Sequence, residues 1–260
     1  MVTLSVCIEM FWADLDPAAK VQRVGQTDVG AYEFWTYSNK DVPAMAAAQA
    51  EAGLDCAGLV LEPPFSLVVR ESEQALVDGV KASVQVAQQL GAPGLILTTG
   101  NILADESWDA TFRRARRRLR TLAAVCADAG LKIYLEPLNP LVDHHGYWLT
   151  TMAQAADLVA EVDNPALTIL YDLYHQQITE GNLIDNLRTY LPLVGHIHAA
   201  GVPGRHELVG GENDYGVLFA EVDRLGYEGY VGLEFRPTLS DEDAIAQAAA
   251  LAKTHAGRSN

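Results

Sequence analysis

Nowhere in its 260 residues does the chain hold an apolar run of about 18 residues, the minimum for spanning a bilayer as a helix. Its opening, Met1-Val-Thr-Leu-Ser-Val-Cys7, lacks the basic-then-apolar order of a secretory signal. A cytoplasmic protein with no membrane partner is therefore expected. Cations are scarce as well: 18 Lys+Arg stand against 34 Asp+Glu, a formal charge of -16. A molecule so acidic repels polyanions, which argues against nucleic acid as a partner. Cysteine is rare: Cys7, Cys56 and Cys126 are far apart, odd in number and set within apolar segments. With no Cys-x-x-Cys spacing for zinc or redox work, buried and reduced thiols are expected.

What is present is apolar material for one large core, at 49% hydrophobic and 20% charged residues. Short apolar runs suited to buried parallel strands recur at 4–8, 31–35, 54–60, 94–98, 131–136, 167–172, 194–198 and 230–235. Segments of helical periodicity lie between them, and strands alternating with helices imply βαβ units. Eight such units match a closed barrel better than an open sheet, so the fold expected is α/β, a single (β/α)₈ TIM barrel domain over 1–260. No linker or low-complexity segment interrupts the pattern, and only the tail after about Lys253 is expected to fray.

The clearest helix spans 108–129, where Phe112, Ala115, Leu119, Leu122, Cys126 and Ala129 form one stripe. Asp105, Glu106 and Asp109 near its beginning suit the helix dipole, and Gly130 stops it. The arginines at 113, 114, 116, 117, 118 and 120 fall off the stripe and are expected on a solvated outer face. Further helices are expected at 72–90, 151–161 and 182–191.

Four of the strands end on a side chain able to ligate a metal: Tyr134-Leu-Glu136, Leu170-Tyr-Asp172, His196-Ile-His198 and Gly232-Leu-Glu234. In a barrel all strand C-termini open onto one face, so consecutive strands five to eight would each deliver one ligand there. Three carboxylates and an imidazole suit Mg²⁺, Mn²⁺ or Co²⁺ better than structural zinc, which favours thiolates and imidazoles. Burying three carboxylates together without a cation would force one or more to take up protons. The plainer alternative is that each acid caps a helix or pairs with an arginine. His196, two residues before His198 and so on the same strand face, is a candidate partner one layer below it.

These motifs resemble the hydroxypyruvate isomerase branch of the xylose-isomerase-like barrels, a group that also holds ketose 3-epimerases and inosose-processing enzymes. The likeness covers nearly the whole chain and is most specific at Glu136-Pro-Leu-Asn139, Tyr171-Asp-Leu-Tyr-His-Gln176, Gly195-His-Ile-His198, Val202-Pro-Gly-Arg-His-Glu207 and Gly232-Leu-Glu-Phe235. The resemblance implies that Glu136 and Glu234 both bind the metal and form the acid/base pair, that Asp172 and His198 complete the metal site, and that His175 and Arg205 contact substrate. It also implies proton transfer through a cis-enediolate on a small hydroxy-carbonyl compound. Two departures stand out. Hydroxypyruvate isomerases often carry glutamine where this chain has His198, as ketose 3-epimerases do not, and the loop at 139–146 is longer than in the typical isomerase.

Several readings follow from the same residues. A hydroxypyruvate isomerase-like enzyme leads, and a ketose 3-epimerase of the D-tagatose/D-allulose type is the alternative. An inosose dehydratase, a metal-dependent endonuclease and a non-catalytic barrel subunit rank below them, the endonuclease because seven histidines and an acidic surface suit it poorly. A homo-oligomer is left open. For Arg205, a salt bridge to Glu207 is the plain reading, and for His175 a satisfied loop histidine. Phe11, Trp12, Trp35, Tyr147 and Trp148, just beyond strand ends, could wall the pocket or pack beneath loops. Glu33 and Glu62, near the tops of strands two and three, could bind substrate hydroxyls or cap a helix.

Overall fold

The computed structural model describes residues 1–70 and 72–254. Eight parallel strands close into a barrel in chain order, β1 (Thr3–Cys7), β2 (Ala31–Phe34), β3 (Asp55–Val60), β4 (Gly94–Leu97), β5 (Lys132–Leu135), β6 (Leu167–Asp172), β7 (Val194–Ala199) and β8 (Tyr230–Leu233). Closure comes from β1 pairing with β8, Thr3 opposite Tyr230 and Leu4 opposite Val231. All eight expected strands are present, several one or two residues shorter than their apolar runs because the last residue of the run already turns into the loop.

Helices α1 (Pro17–Val24), α2 (Val42–Ala52), α3 (Glu73–Leu90), α4 (Trp108–Asp128), α5 (Met152–Val162), α6 (Leu173–Thr179), α7 (Leu183–Tyr190), α8 (Tyr215–Arg224) and α9 (Asp241–Thr254) surround the strands. Side-chain caps set their starts: Ser72 and Ser107 accept from the amides of Ala75 and Ala110, and Thr151 with Gln154 forms a reciprocal capping box. None of the described helices is long and apolar enough to cross a membrane. Helix α9 continues through Thr254, and the rest of the tail expected to fray lies outside the described residues. All three cysteines are buried and free.

The arginine-rich helix corrects one expectation. Arg118 is buried, its Nη1 donating to the carbonyls of Leu67 and Val69 at 2.7 Å each, and half-buried Arg114 grips Glu106 and the carbonyl of Val68. Position 118 lies three and four residues from Ala115 and Leu122, so it flanks the apolar stripe closely enough to reach inward. The two side chains satisfy the carbonyls of the loop after β3, while Arg116 and Arg117 make the solvent-facing ion pairs expected of an outer surface.

Candidate metal and proton-transfer site

Inside the barrel, side chains stack in layers along its axis. Val60, Ile96, Tyr134 and Leu170 form a separate apolar cluster of their own, and His196 stacks on the Tyr134 ring with centroids 5.3 Å apart. In the same interior, Glu33 Oε2 accepts from Ser5 Oγ at 2.7 Å and lies 2.9 Å from His196 Nε2. The carboxylate has room because residue 232 is glycine: a Cβ there would lie 2.5 Å from Glu33 Oε1.

Near this carboxylate the ends of strands five to eight converge. Asp172 pairs in register with His198, and His198 with Gly232, two residues before Glu234. Glu136 follows the last residue of β5. The ligand atoms of Glu136, Asp172, His198 and Glu234 lie within 4.8 Å of one another, and all four residues are buried. His198 Nδ1 faces the three carboxylates, 3.0 Å from Glu234, 3.6 Å from Glu136 and 3.9 Å from Asp172. Its other nitrogen, Nε2, sits 2.7 Å from Glu33 Oε1.

This donor set fits a hard divalent cation. Asp172 is divided in labour: Oδ1 caps α6 by accepting from the amides of Tyr174 and His175, while buried Oδ2 has no hydrogen-bond partner. His198 Nδ1 likewise makes no aligned hydrogen bond although it is buried among oxygens. Three buried carboxylates gathered around one imidazole nitrogen make a donor set whose charge a divalent cation would neutralise.

The protonation of the site follows from crowding. Burial raises the Glu136 carboxyl above its usual range, with the neighbouring charges of Glu234 and Asp172 adding to it against His198. Burial raises Asp172 too, partly offset by Arg205. In Glu234 the upward push of burial is overcome by Arg205 and His198, which hold it well below the ordinary value. Burial opposes charge on His198, yet Glu33 and Glu234 outweigh it and raise its pKa well above that of free histidine. Glu33 is held low by His198 and His196 against the same burial. The two glutamates at the site are thus pushed in opposite directions.

Arg205 does not pair with Glu207. Its Nη2 lies 2.5 Å from Glu234 Oε2 and 3.6 Å from Asp172 Oδ2, and its Nε donates to the Glu234 carbonyl at 3.1 Å. Glu207 instead accepts from the amides of Thr238 and Leu239, tying the loop after β7 to the loop after β8. His175 is in the first turn of α6, buried, with Nε2 3.5 Å from Asp172 Oδ2. Trp35 Nε1 donates to Glu234 Oε1 at 2.7 Å while the residue stays 39% exposed, so this aromatic does reach the site mouth. Tyr147 acts from beneath, its hydroxyl bonding the Glu136 carbonyl at 3.1 Å and the Thr99 amide at 2.6 Å. Phe11, Trp12 and Trp148 are packing residues: Phe11 meets Phe235 edge-on, Trp12 bonds Asp241 and Glu242, and Trp148 packs on Trp108 and Phe112.

Glu33 was underrated by the sequence, and Gly232 was the signal that could have raised it, since a glycine two residues before a ligand leaves space on the inward face. Glu62 has no such role. Its Oε1 accepts from the amides of Tyr37 and Ser38, closing the loop after β2.

Residues 7–255 match the family described as xylose isomerase-like TIM barrel. A Danio rerio protein named "Putative hydroxypyruvate isomerase" is 30% identical over 94% of this chain and 94% of its own. The Escherichia coli protein named hydroxypyruvate isomerase is 27% identical over 94% of this chain and 97% of its own. Among solved structures, one titled AP endonuclease, family 2, from Brucella melitensis superposes with a TM-score of 0.91 at 24% identity, covering 96% of this chain and 99% of that one. Sugar 3-epimerases also occur among the structural neighbours. At such identities the structural likenesses speak to the fold alone, whereas the family match and the curated relatives span almost the whole chain. The chain belongs to the hydroxypyruvate isomerase family of xylose isomerase-like TIM barrels and is an enzyme of the isomerase or epimerase type.

Proposed function

We propose that this enzyme is a metal-dependent hydroxypyruvate isomerase, interconverting a 3-hydroxy-2-keto acid and its 2-hydroxy-3-aldehyde isomer. The observation that carries the reading is the convergence of Glu136, Asp172, His198 and Glu234 within 4.8 Å at the end of the barrel where such enzymes work. A divalent Mg²⁺, Mn²⁺ or Co²⁺ held by these four would supply Lewis acidity at the substrate's carbonyl and neighbouring hydroxyl. One glutamate removes a proton from C3, leaving a cis-enediolate across C2 and C3; a proton returned to C2, with the hydroxyl proton passing from the C3 oxygen to the C2 oxygen, gives the aldehyde. Glu136 and Glu234, whose oxygens lie 3.6 Å and 3.0 Å from His198 Nδ1, form the acid/base pair of this transfer. His175 and Arg205 donate hydrogen bonds to the oxygens on which negative charge grows. Trp35 covers the mouth beside Glu234 and keeps water away from the reacting carbon.

Small-molecule turnover in the cytoplasm agrees with the three free, buried cysteines and the acidic composition. Proton NMR of hydroxypyruvate in deuterated buffer with Mg²⁺-loaded enzyme tests the reading. Solvent deuterium at C3 together with an aldehyde product is expected. Exchange and inversion at C3 of a free ketose, with hydroxypyruvate untouched, would replace it with the 3-epimerase reading.

A further inference from the structure

Asn139, three residues past Glu136, is fully buried, and both ends of its amide are occupied. Oδ1 accepts from the backbone amides of Val142 at 3.0 Å and Asp143 at 3.1 Å. Those two donors fix which end is oxygen, so the end reaching Asp143 Oδ2 and His175 Nδ1, at 2.7 Å each, is the NH₂ group. The backbone N–H of Asn139 points at the same His175 Nδ1 from 3.3 Å. Facing two donors, Nδ1 can only accept. The ring proton therefore belongs on Nε2, the nitrogen turned toward the site and 3.5 Å from Asp172 Oδ2.

The same loop steadies the second substrate-facing cation. Asp143 Oδ2 accepts from Tyr174 Oη at 2.9 Å, and the Tyr174 ring lies under the Arg205 guanidinium at 5.1 Å. Asp143 thus braces His175 through Asn139 and Arg205 through Tyr174. Arg205 itself has a φ of 59°, an uncommon backbone conformation for a residue other than glycine.

We infer that Asn139 locks His175 in the Nε2–H tautomer, making the imidazole a hydrogen-bond donor to the enediolate oxygens, and that Asn139 and Asp143 are positioning residues for this reaction. The inference rests on the proposed proton shift, since it assigns how one substrate-facing group works within it. The opposite tautomer would turn a lone pair toward an oxygen gaining negative charge, acceptor against acceptor. With Nε2–H the interaction strengthens as charge develops, and no bond at His175 is made or broken.

Histidine-selective ¹⁵N NMR of the Mg²⁺-loaded enzyme without substrate, assigned with His175→Gln, reads the tautomer. A proton on Nε2 and a bare Nδ1 are expected, and a protonated Nδ1 overturns the proposal. Asn139→Asp presents a carboxylate to Nδ1 and reverses the demand. The proton should move to Nδ1 and kcat for deuterium exchange should fall about 100-fold, with KM changed by less than about threefold. A wild-type kcat with the proton on Nδ1 overturns it equally. Position 143 gives a second route that does not depend on burying a new charge at 139. Asp143→Asn, whose carbonyl still accepts from Asn139 and Tyr174, should keep kcat within about threefold, while Asp143→Ala should lose about tenfold or more. Equal kcat in Asp143→Ala and wild type would contradict a positioning role. Since the tautomer is read without substrate, an Nε2–H spectrum beside failed exchange on hydroxypyruvate upholds the lock and removes only the choice of substrate.

Discussion

The two halves of the barrel treat their acids in opposite ways. At the ends of β1 to β3, each glutamate is taken up by the protein itself: Glu9 by Lys40 and the Trp35 amide, Glu33 by Ser5, His196 and His198, and Glu62 by the amides of Tyr37 and Ser38. At the ends of β5 to β8, three buried carboxylates instead gather around one imidazole, with the ligand atoms of Glu136, Asp172, His198 and Glu234 within 4.8 Å of one another. The difference teaches that position at a strand end does not make an acid functional. What separates the halves is whether several buried carboxylates converge on one point or each is engaged separately by its own neighbours.

The sharpest way to break this comparison is to neutralise one acid on each side. Glu136→Gln or Glu234→Gln should lower proton exchange by about 1,000-fold or more, measured as deuterium incorporation by NMR. Glu62→Gln should leave it near wild type, because its carbonyl oxygen still accepts from the two loop amides. Retained exchange in either active-half variant would remove the two-glutamate mechanism. Chelation should silence the enzyme to the same degree, with Mg²⁺, Mn²⁺ or Co²⁺ restoring it, and full activity after exhaustive chelation would be the contrary result.

Glu33 crosses between the halves, and its effect should be intermediate. Glu33→Gln keeps the shape but weakens the hold on His198 Nε2, so metal affinity by calorimetric titration should fall about 10- to 100-fold. An unchanged affinity would return Glu33 to core packing. The pH dependence is smaller per step and has a definite sign. With its pKa raised by Glu33 and Glu234 despite burial, His198 carries a proton near neutrality that a metal must displace from Nδ1. Affinity should therefore rise with pH, by up to about tenfold per unit for each proton released. Below neutrality the raised Glu136 and Asp172 compete as well and steepen the loss. A pH-independent affinity would contradict the protonation assigned to the site. The smallest effect belongs to the loop after β3. Arg118→Met should cost about 1–3 kcal/mol in urea unfolding through the freed carbonyls of Leu67 and Val69, with exchange kinetics little altered.

The barrel was legible in the sequence because each strand is a compact apolar run and each of the longer helices carries its own cap, as Ser72, Ser107 and Thr151 show. The meeting of four candidate ligands was legible because strand ends obey one geometric rule, so Glu136, Asp172, His198 and Glu234 could be brought together without knowing a single distance. Partners across the barrel were not. Nothing local tells that Glu33 reaches His198 over a glycine at 232, or that Arg205 turns to Glu234 rather than to Glu207 two residues away. Arg118 was misjudged for a related reason: a stripe drawn by residue type places a charged side chain outside, whereas a long one at the stripe's edge can reach a buried carbonyl.

The most direct test is a crystal soaked in Mn²⁺ and recorded at a wavelength where manganese scatters anomalously. One strong peak is expected within coordination distance of Glu136, Asp172, His198 Nδ1 and Glu234, and none among Glu9, Glu33 and Glu62. A peak held by the acids of the first half, or no peak within reach of the four, would contradict the proposed metal site.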